Sequence, residues 1–245
     1  MLLVPSSVVW HNGEEKNQKV VVVEPCYFGY GTTLGNALRR VLLSSLPGSA
    51  VQSVVIKGVN HEFSALSGVA EDIVDIILNL KKLNIKVYSD SPVKLTLKAK
   101  GEKTVTAADI EKNSDVEIVN PDHVIATLTD KKTELEMQIT VARGRGYVPT
   151  EQRDKSTLEV GEIAIDAAYG PVFSAGFKVE NTRVGQITDF DKLSMTIETD
   201  GTVTPEEAFG QAVDIILEQF NVLKNGGSDQ SSVAVAEPVV ETAAE

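Results

Sequence analysis

Gly29-Tyr30-Gly31-Thr32-Thr33-Leu34-Gly35-Asn36-Ala37-Leu38-Arg39-Arg40-Val41-Leu42-Leu43-Ser44-Ser45-Leu46-Pro47-Gly48 holds a turn and a helix in one run. Gly29 and Gly31 flank Tyr30, and glycine tolerates the positive φ of a sharp turn. Thr32 or Thr33 is placed to cap the helix by accepting a bond from an orphan N–H. Leu34, Ala37, Leu38, Val41, Leu42 and Ser45 then recur at helical spacing and form one apolar face. Pro47-Gly48 predicts the stop. Asn36, Arg40 and Leu43 share a second face, with Arg39 beside them. An ordinary wet face would be polar throughout. This one reads either as a core helix with two solvated arginines or as a helix with an interface on each side.

Working outward, residues 18–24 are β-branched and read as a buried strand ahead of the turn. A strand is expected from Ala50 to Lys57, a loop over 63–66, and a second helix from Gly68 to Leu80. Val69, Ile73, Ile76, Ile77 and Leu80 make that helix's core face. Glu71, Asp72 and Asp75 sit at its positive end, and Lys81 and Lys82 at its negative end. The period then changes to two. Leu95 and Leu97, Leu135 to Val141, Phe173 to Val179, and Leu193 to Ile197 alternate with polar residues, as half-buried antiparallel strands do. Thr204, Pro205 and Glu207 announce a third helix with a capping box. Its apolar face is Phe209, Ala212, Val213, Ile216, Phe220 and Leu223, and Asn225-Gly226-Gly227 stops it. Residues 228–245 carry neither period and read as a disordered tail. The fold class is α+β, with three helices and many antiparallel strands.

Of 245 residues, 42% are hydrophobic and 24% charged, the balance of a globular chain. The net charge of −12 argues against a protein that grips bare DNA, since duplex binding relies on Lys and Arg at phosphates. Cys26 is the single cysteine, which leaves no disulfide framework or thiolate metal site and suits a reducing compartment. No apolar run approaches a membrane span, and the first residues lack a signal-peptide pattern.

Candidate chemistry is sparse. Gly29, Gly31 and Gly35 follow a strand and open a helix, as in a dinucleotide-binding turn. Their spacing is one residue too long for the fingerprint, and no acidic residue closes a βαβ unit. A nucleotide-binding enzyme built on that turn is the alternative reading. Asp189 and Asp191 form a lone D-x-D that reads as a polar turn, and His11, His61 and His123 lack ligand spacing. Asp166 ends an apolar run and either caps a turn or reaches a partner. Arg143-Gly144-Arg145-Gly146-Tyr147 reads as a loop between strands rather than a nucleic-acid arm. No metal or cofactor is expected.

The opening motif resembles the signature of the amino-terminal domain of the bacterial RNA polymerase α-subunit family. Residues 68–83, Thr106-Ala107-Ala108-Asp109-Ile110, Arg143 to Pro149, Thr188 to Leu193 and Thr199 to Ala208 are similar to later stretches of that family, in the same order. The resemblance implies a discontinuous dimerisation domain over residues 1–47 and 171–225, with a β-rich insert over 48–170. It implies a homodimer formed by the first and last helices, through Leu34, Leu38, Val41, Phe209, Val213, Ile216 and Phe220. It further implies a cytoplasmic platform on which the β and β′ subunits assemble for transcription, joined by ω and a sigma factor in the holoenzyme. Arg40, Leu43 and Asp75 match positions used towards β. Lys81, Asp166, Val172 and Lys192 match positions used towards the large subunits, mainly β′. Nucleotidyl transfer with magnesium would belong to β and β′, so the chain would be a non-catalytic subunit of that transferase. The family also carries a small carboxy-terminal DNA-binding domain. Here the residues given stop at Glu245, so DNA is expected to be reached only through the assembled complex.

Overall fold

The computed structural model describes residues 4–153, 159 and 161–225; the expected tail over 226–245 lies outside them. Among the described residues two large hydrophobic cores organise the fold, with a small third cluster of Ala50, Ala167 and Tyr169. The first sits on a four-stranded antiparallel sheet. Its strands are β1 (Ser7–Asn12), β2 (Gln18–Cys26), β13 (Val172–Val184) and β14 (Ile187–Thr199), in the order β1-β2-β14-β13. Helix α1 (Tyr30–Ser44) lies against β13 and β14, and α3 (Pro205–Lys224) lies beside α1. Leu38, Leu42 and Leu46 from the α1 region meet Val21, Met195, Ile197, Ala208 and Ala212. Each large aliphatic side chain buried this way stabilises the fold by about 1.5–3 kcal/mol.

Between α1 and β13 the chain builds the second core. Strand β3 (Pro47–Ile56) is followed by helix α2 (Ile73–Leu80), then β4 (Ile85–Val87), β5 (Val93–Lys100), β6 (Lys103–Thr106), β7 (Val116–Ile118), β8 (Val124–Leu128) and β9 (Glu134–Arg145). The short strands β10 (Tyr147–Val148), β11 (Glu162–Ala164) and β12 (Ala167–Ala168) lead back to β13. The main sheet runs β11-β3-β9-β5, and β4-β7, β6-β8 and β10-β12 are small pairs, all antiparallel. Ile73, Ile76 and Leu80 of α2 pack with Val54, Leu97, Ile125, Met137 and Ile139. Among the described residues no helix is long and apolar enough to cross a membrane.

Several local expectations are corrected. Helix α1 begins at Tyr30, before the threonines, and no threonine side chain caps it; Gly29 takes φ 79° at its N-cap. It ends at Ser44, and Pro47 opens β3, a strand position that tolerates proline. Helix α2 begins at Ile73, not Gly68, because Val69 bridges to Leu128 in strand fashion. Asp72 becomes its N-cap, accepting from the Asp75 amide at 2.8 Å, and Glu71 leaves the helix to accept from the Thr127 amide. The expected D-x-D turn is continuous strand within β14, and Arg143 to Arg145 close β9 rather than forming a loop. The alternation from Phe173 also fails at its first residue. A bulge between Val172 and Ser174 turns Val172 into the core and Phe173 outward.

Candidate assembly surfaces

An apolar groove of about 480 Å³ runs between α1, α3 and the β1–β2 side of the first sheet. Leu34, Leu38, Phe209, Val213, Ile216 and Phe220 all line it. Val41 does not; it is half-buried against the same core. The core-facing stripe of α1 is Gly31, Gly35, Leu38 and Leu42, rotated slightly from the expected face, so Leu34 and Ala37 lean into the open groove. Phe209 is fixed there by an edge-on contact with Trp10, ring centres 5.6 Å apart. Towards its C-terminus α3 leaves the core altogether. Phe220 is 62% exposed and Leu223 74% exposed, with Leu217 and Val222 also open.

A second groove, of about 450 Å³, lies at the seam between the two cores. It gathers Leu43, Lys81, Asp166 and Val172 from four separate segments, with Tyr147, Phe173 and Asp200. The Asp166 carboxylate accepts from the Thr150 amide through Oδ1 at 3.0 Å and meets Lys81 Nζ through Oδ2 at 3.3 Å. These donors, the Thr150 amide foremost, hold its pKa below the usual carboxylate range. Tyr147 titrates above the ordinary phenol range, first because it is partly desolvated and then because the Asp166 charge is near. Val172, expected to face a partner, is only 7% exposed and packs mostly inward.

Arg40, Asp75 and Lys192 stand outside that groove. Arg40 and Leu43 are both exposed on the outer face of α1. Arg39 is not part of an open face in the same sense: its Nε donates to the Ala175 carbonyl at 3.1 Å and ties α1 to β13. Asp75 is exposed in the first turn of α2. Half-buried Lys192 lies 3.9 Å from the Glu24 carboxylate on the neighbouring strand. Sequence reading missed Tyr147 and Phe173 as groove residues; the exposed tyrosine was visible, whereas the bulge that exposes Phe173 was not.

The glycine turn has another use. A Cβ on Gly35 would come within 2.6 Å of the Phe177 ring, so glycine here permits close packing of α1 on β13. The amide of Gly31 donates to Asp191 Oδ2 at 3.0 Å. A carboxylate therefore already occupies the anion-attracting end of α1, where a dinucleotide phosphate would sit. Burial, and then Asp191, push the Cys26 thiol above its usual pKa, as for an inert structural cysteine. Among the described residues no three His, Cys, Asp or Glu side chains converge as a metal site.

Comparison with known proteins agrees with this architecture. The model of the RNA polymerase Rpb3/RpoA insert domain matches residues 54–170. The DNA-directed RNA polymerase subunit alpha of Rickettsia rickettsii (strain Sheila Smith) is 50% identical over 222 residues, 90% of this chain, and the protein of that name from strain Iowa matches to the same extent. The chain spans 65% of the length of these relatives. The opening motif, the insert between two halves of one sheet and these matches make the chain similar, over 90% of its length, to the RNA polymerase α-subunit family.

Proposed function

We propose that this chain is the assembly platform of a bacterial, cytoplasmic RNA polymerase. Two copies join through α1 and α3, and the dimer holds β and β′, with ω and a sigma factor completing the holoenzyme. The dimerisation domain is residues 1–47 with 171–225, and residues 48–170 are the insert. The chain contributes no catalytic group; nucleotidyl transfer is the work of the large subunits, and DNA is engaged through the complex. Arg40, Leu43 and Asp75 serve the contact with β, while Lys81, Asp166, Val172 and Lys192 serve the large subunits, mainly β′.

The observation that carries this reading is the α1–α3 groove continuing into the bare apolar end of α3. A single copy leaves Phe220, Leu217 and Leu223 in water. A second copy related by two-fold symmetry covers both patches at once, since an isologous interface uses the same surface twice. Each such side chain contributes about 1.5–3 kcal/mol when covered.

Two measurements test it. Sedimentation of the purified chain at micromolar concentration is expected to give a dimer, and Ile216→Asp a monomer. Expression of a tagged chain in its own cells is expected to bring down β and β′, and Arg40→Ala to lose them while remaining dimeric. A monomeric wild type would overturn the dimer. A dimer that recovers neither large subunit would point instead to an α-like regulator outside the polymerase.

A further inference from the structure

We infer that Asn84 is a positioning residue: its side-chain amide is a latch that holds residues 48–170 at one angle to the dimerisation part of the chain. The use of that angle in assembly rests on the reading above; the latch itself does not.

The covalent connections come first. The chain leaves the dimerisation part at Pro47-Gly48 and returns to it at Gly170-Pro171. The two crossings touch. A Cβ on Gly48 would lie 1.8 Å from the Tyr169 carbonyl oxygen and 3.2 Å from Pro171 Cδ. Both connections therefore pass through one spot. One spot fixes where the two parts meet but leaves their angle free, which is the geometry of a hinge.

Little else spans the seam. The two large cores share no residue. Among the described residues no ion pair crosses it. Two clefts, of about 220 and 450 Å³, are lined from both parts. In the smaller one Gln211 Oε1 is buried with no hydrogen-bond partner, an atom that a sealed contact would pair. Parts joined through so small a contact change their angle unless something pins them.

The pin is one hydrogen bond. Away from the two crossings, and among the described residues, only Asn84 Nδ2 donating to the Asp200 carbonyl, at 2.7 Å, runs from one part to the other. Both ends are anchored. The Asn84 amide donates to Asn120 Oδ1 at 2.9 Å, and the Asn84 carbonyl accepts from the Val119 amide at 2.9 Å. The Asp200 amide donates to the Pro171 carbonyl at 3.0 Å. Gly201, at φ 87°, follows and comes so near Val119 that a Cβ would lie 3.0 Å from its Cγ1. The Asn84 side chain makes no other hydrogen bond among the described residues, so replacing it spares the interior of both parts. Leu43 stands on one part and Lys81 and Asp166 on the other, and the latch keeps them on one surface.

The experiment reads the angle as a distance. Spin labels at Glu15→Cys in the dimerisation part and Lys132→Cys in the other, both exposed positions, report it by pulsed electron resonance. The labelled chain is diluted into excess unlabelled chain, so that distances within one copy are seen; Cys26 is buried and takes no label. Wild type is expected to give one narrow distance. Asn84→Ala should add a second distance, its population raised about fivefold, the ratio that one net hydrogen bond commands. Asn84→Leu, which keeps the bulk and has no donor, should do the same, and it decides the matter should the alanine variant fail to fold. A wild type as broad as the leucine variant, or a leucine variant as narrow as wild type, overturns the latch. Recovery of β and β′ by the tagged chain should fall severalfold in Asn84→Leu while the dimer persists. Unchanged recovery beside a changed distance overturns the role in assembly. If wild type recovers neither large subunit, the assembly reading falls, and the distances still decide the latch.

Discussion

The Asp191 carboxylate is 6% exposed and accepts the Gly31 amide from 160 residues away. A helix leaves its first amides without intrahelical partners, and a buried orphan donor costs about 1–3 kcal/mol. Asp191→Ala is therefore expected to destabilise the fold by about that amount, and Asp191→Asn, which retains an acceptor, by clearly less. Urea unfolding at one fixed chain concentration checks this, since a dimer's stability depends on concentration. Equal losses for the two substitutions would mean that the cap is not what matters. From sequence the residue reads as half of a polar turn. Neighbours in sequence report whether a segment alternates, but not that its acidic residue meets a helix end folded over it. The glycines of the opening motif have the same history: their spacing hints at phosphate binding, while Phe177, the neighbour that requires Gly35 to be small, lies far along the chain.

At the scale of elements, α3 divides into two halves with different partners. Its start is fixed locally: the Thr204 hydroxyl accepts from the Glu207 amide at 3.2 Å, and the Glu207 carboxylate accepts from the Thr204 amide at 2.9 Å. Pro205, Ala208 and Ala212 bury the first half. From Leu217 onward every residue of the helix is exposed. Thr204→Ala is thus expected to lower the stability of the fold by about 1 kcal/mol. Phe220→Lys should leave the helix intact by circular dichroism yet weaken the dimer strongly in sedimentation. Loss of helix in Phe220→Lys without loss of dimer would contradict the division. Elements of this kind were legible in the sequence because their signals are local. The capping box, and the alternations over Leu95–Leu97, Leu135–Val141 and Leu193–Ile197, needed no distant information. The two- and three-residue strands β4, β7, β10, β11 and β12 were not legible, since none is long enough to display a period. The bulge at Phe173 was hidden for a related reason: it is defined by register against β14, which a single strand's pattern does not contain.

At the scale of the whole molecule, the two cores are joined across a seam of hydrogen bonds in which Asp200 is central. Its amide donates to the Pro171 carbonyl at 3.0 Å, and its carbonyl accepts from Asn84 Nδ2 at 2.7 Å. Its carboxyl is desolvated there, which raises its pKa above the unfolded value in spite of the bonds from Thr202. The folded chain consequently holds this proton more tightly than the unfolded chain. The group's contribution to stability is fully present below the unfolded pKa and is lost as pH rises through the folded one. Asp166 acts in the opposite direction: its pKa is depressed, so its contribution is present above the unfolded pKa and is lost as pH falls. Subtracting wild type from Asp200→Asn removes that shared background. The asparagine keeps an acceptor for Thr202 but has no charge to desolvate. Its advantage over wild type should therefore grow as pH rises from about 4 through the folded pKa of Asp200 and then level off, with denaturant midpoints compared at one chain concentration. A difference that shrinks with rising pH would mean that the ionised carboxylate is stabilised in the folded chain by its charge-assisted bonds to Thr202.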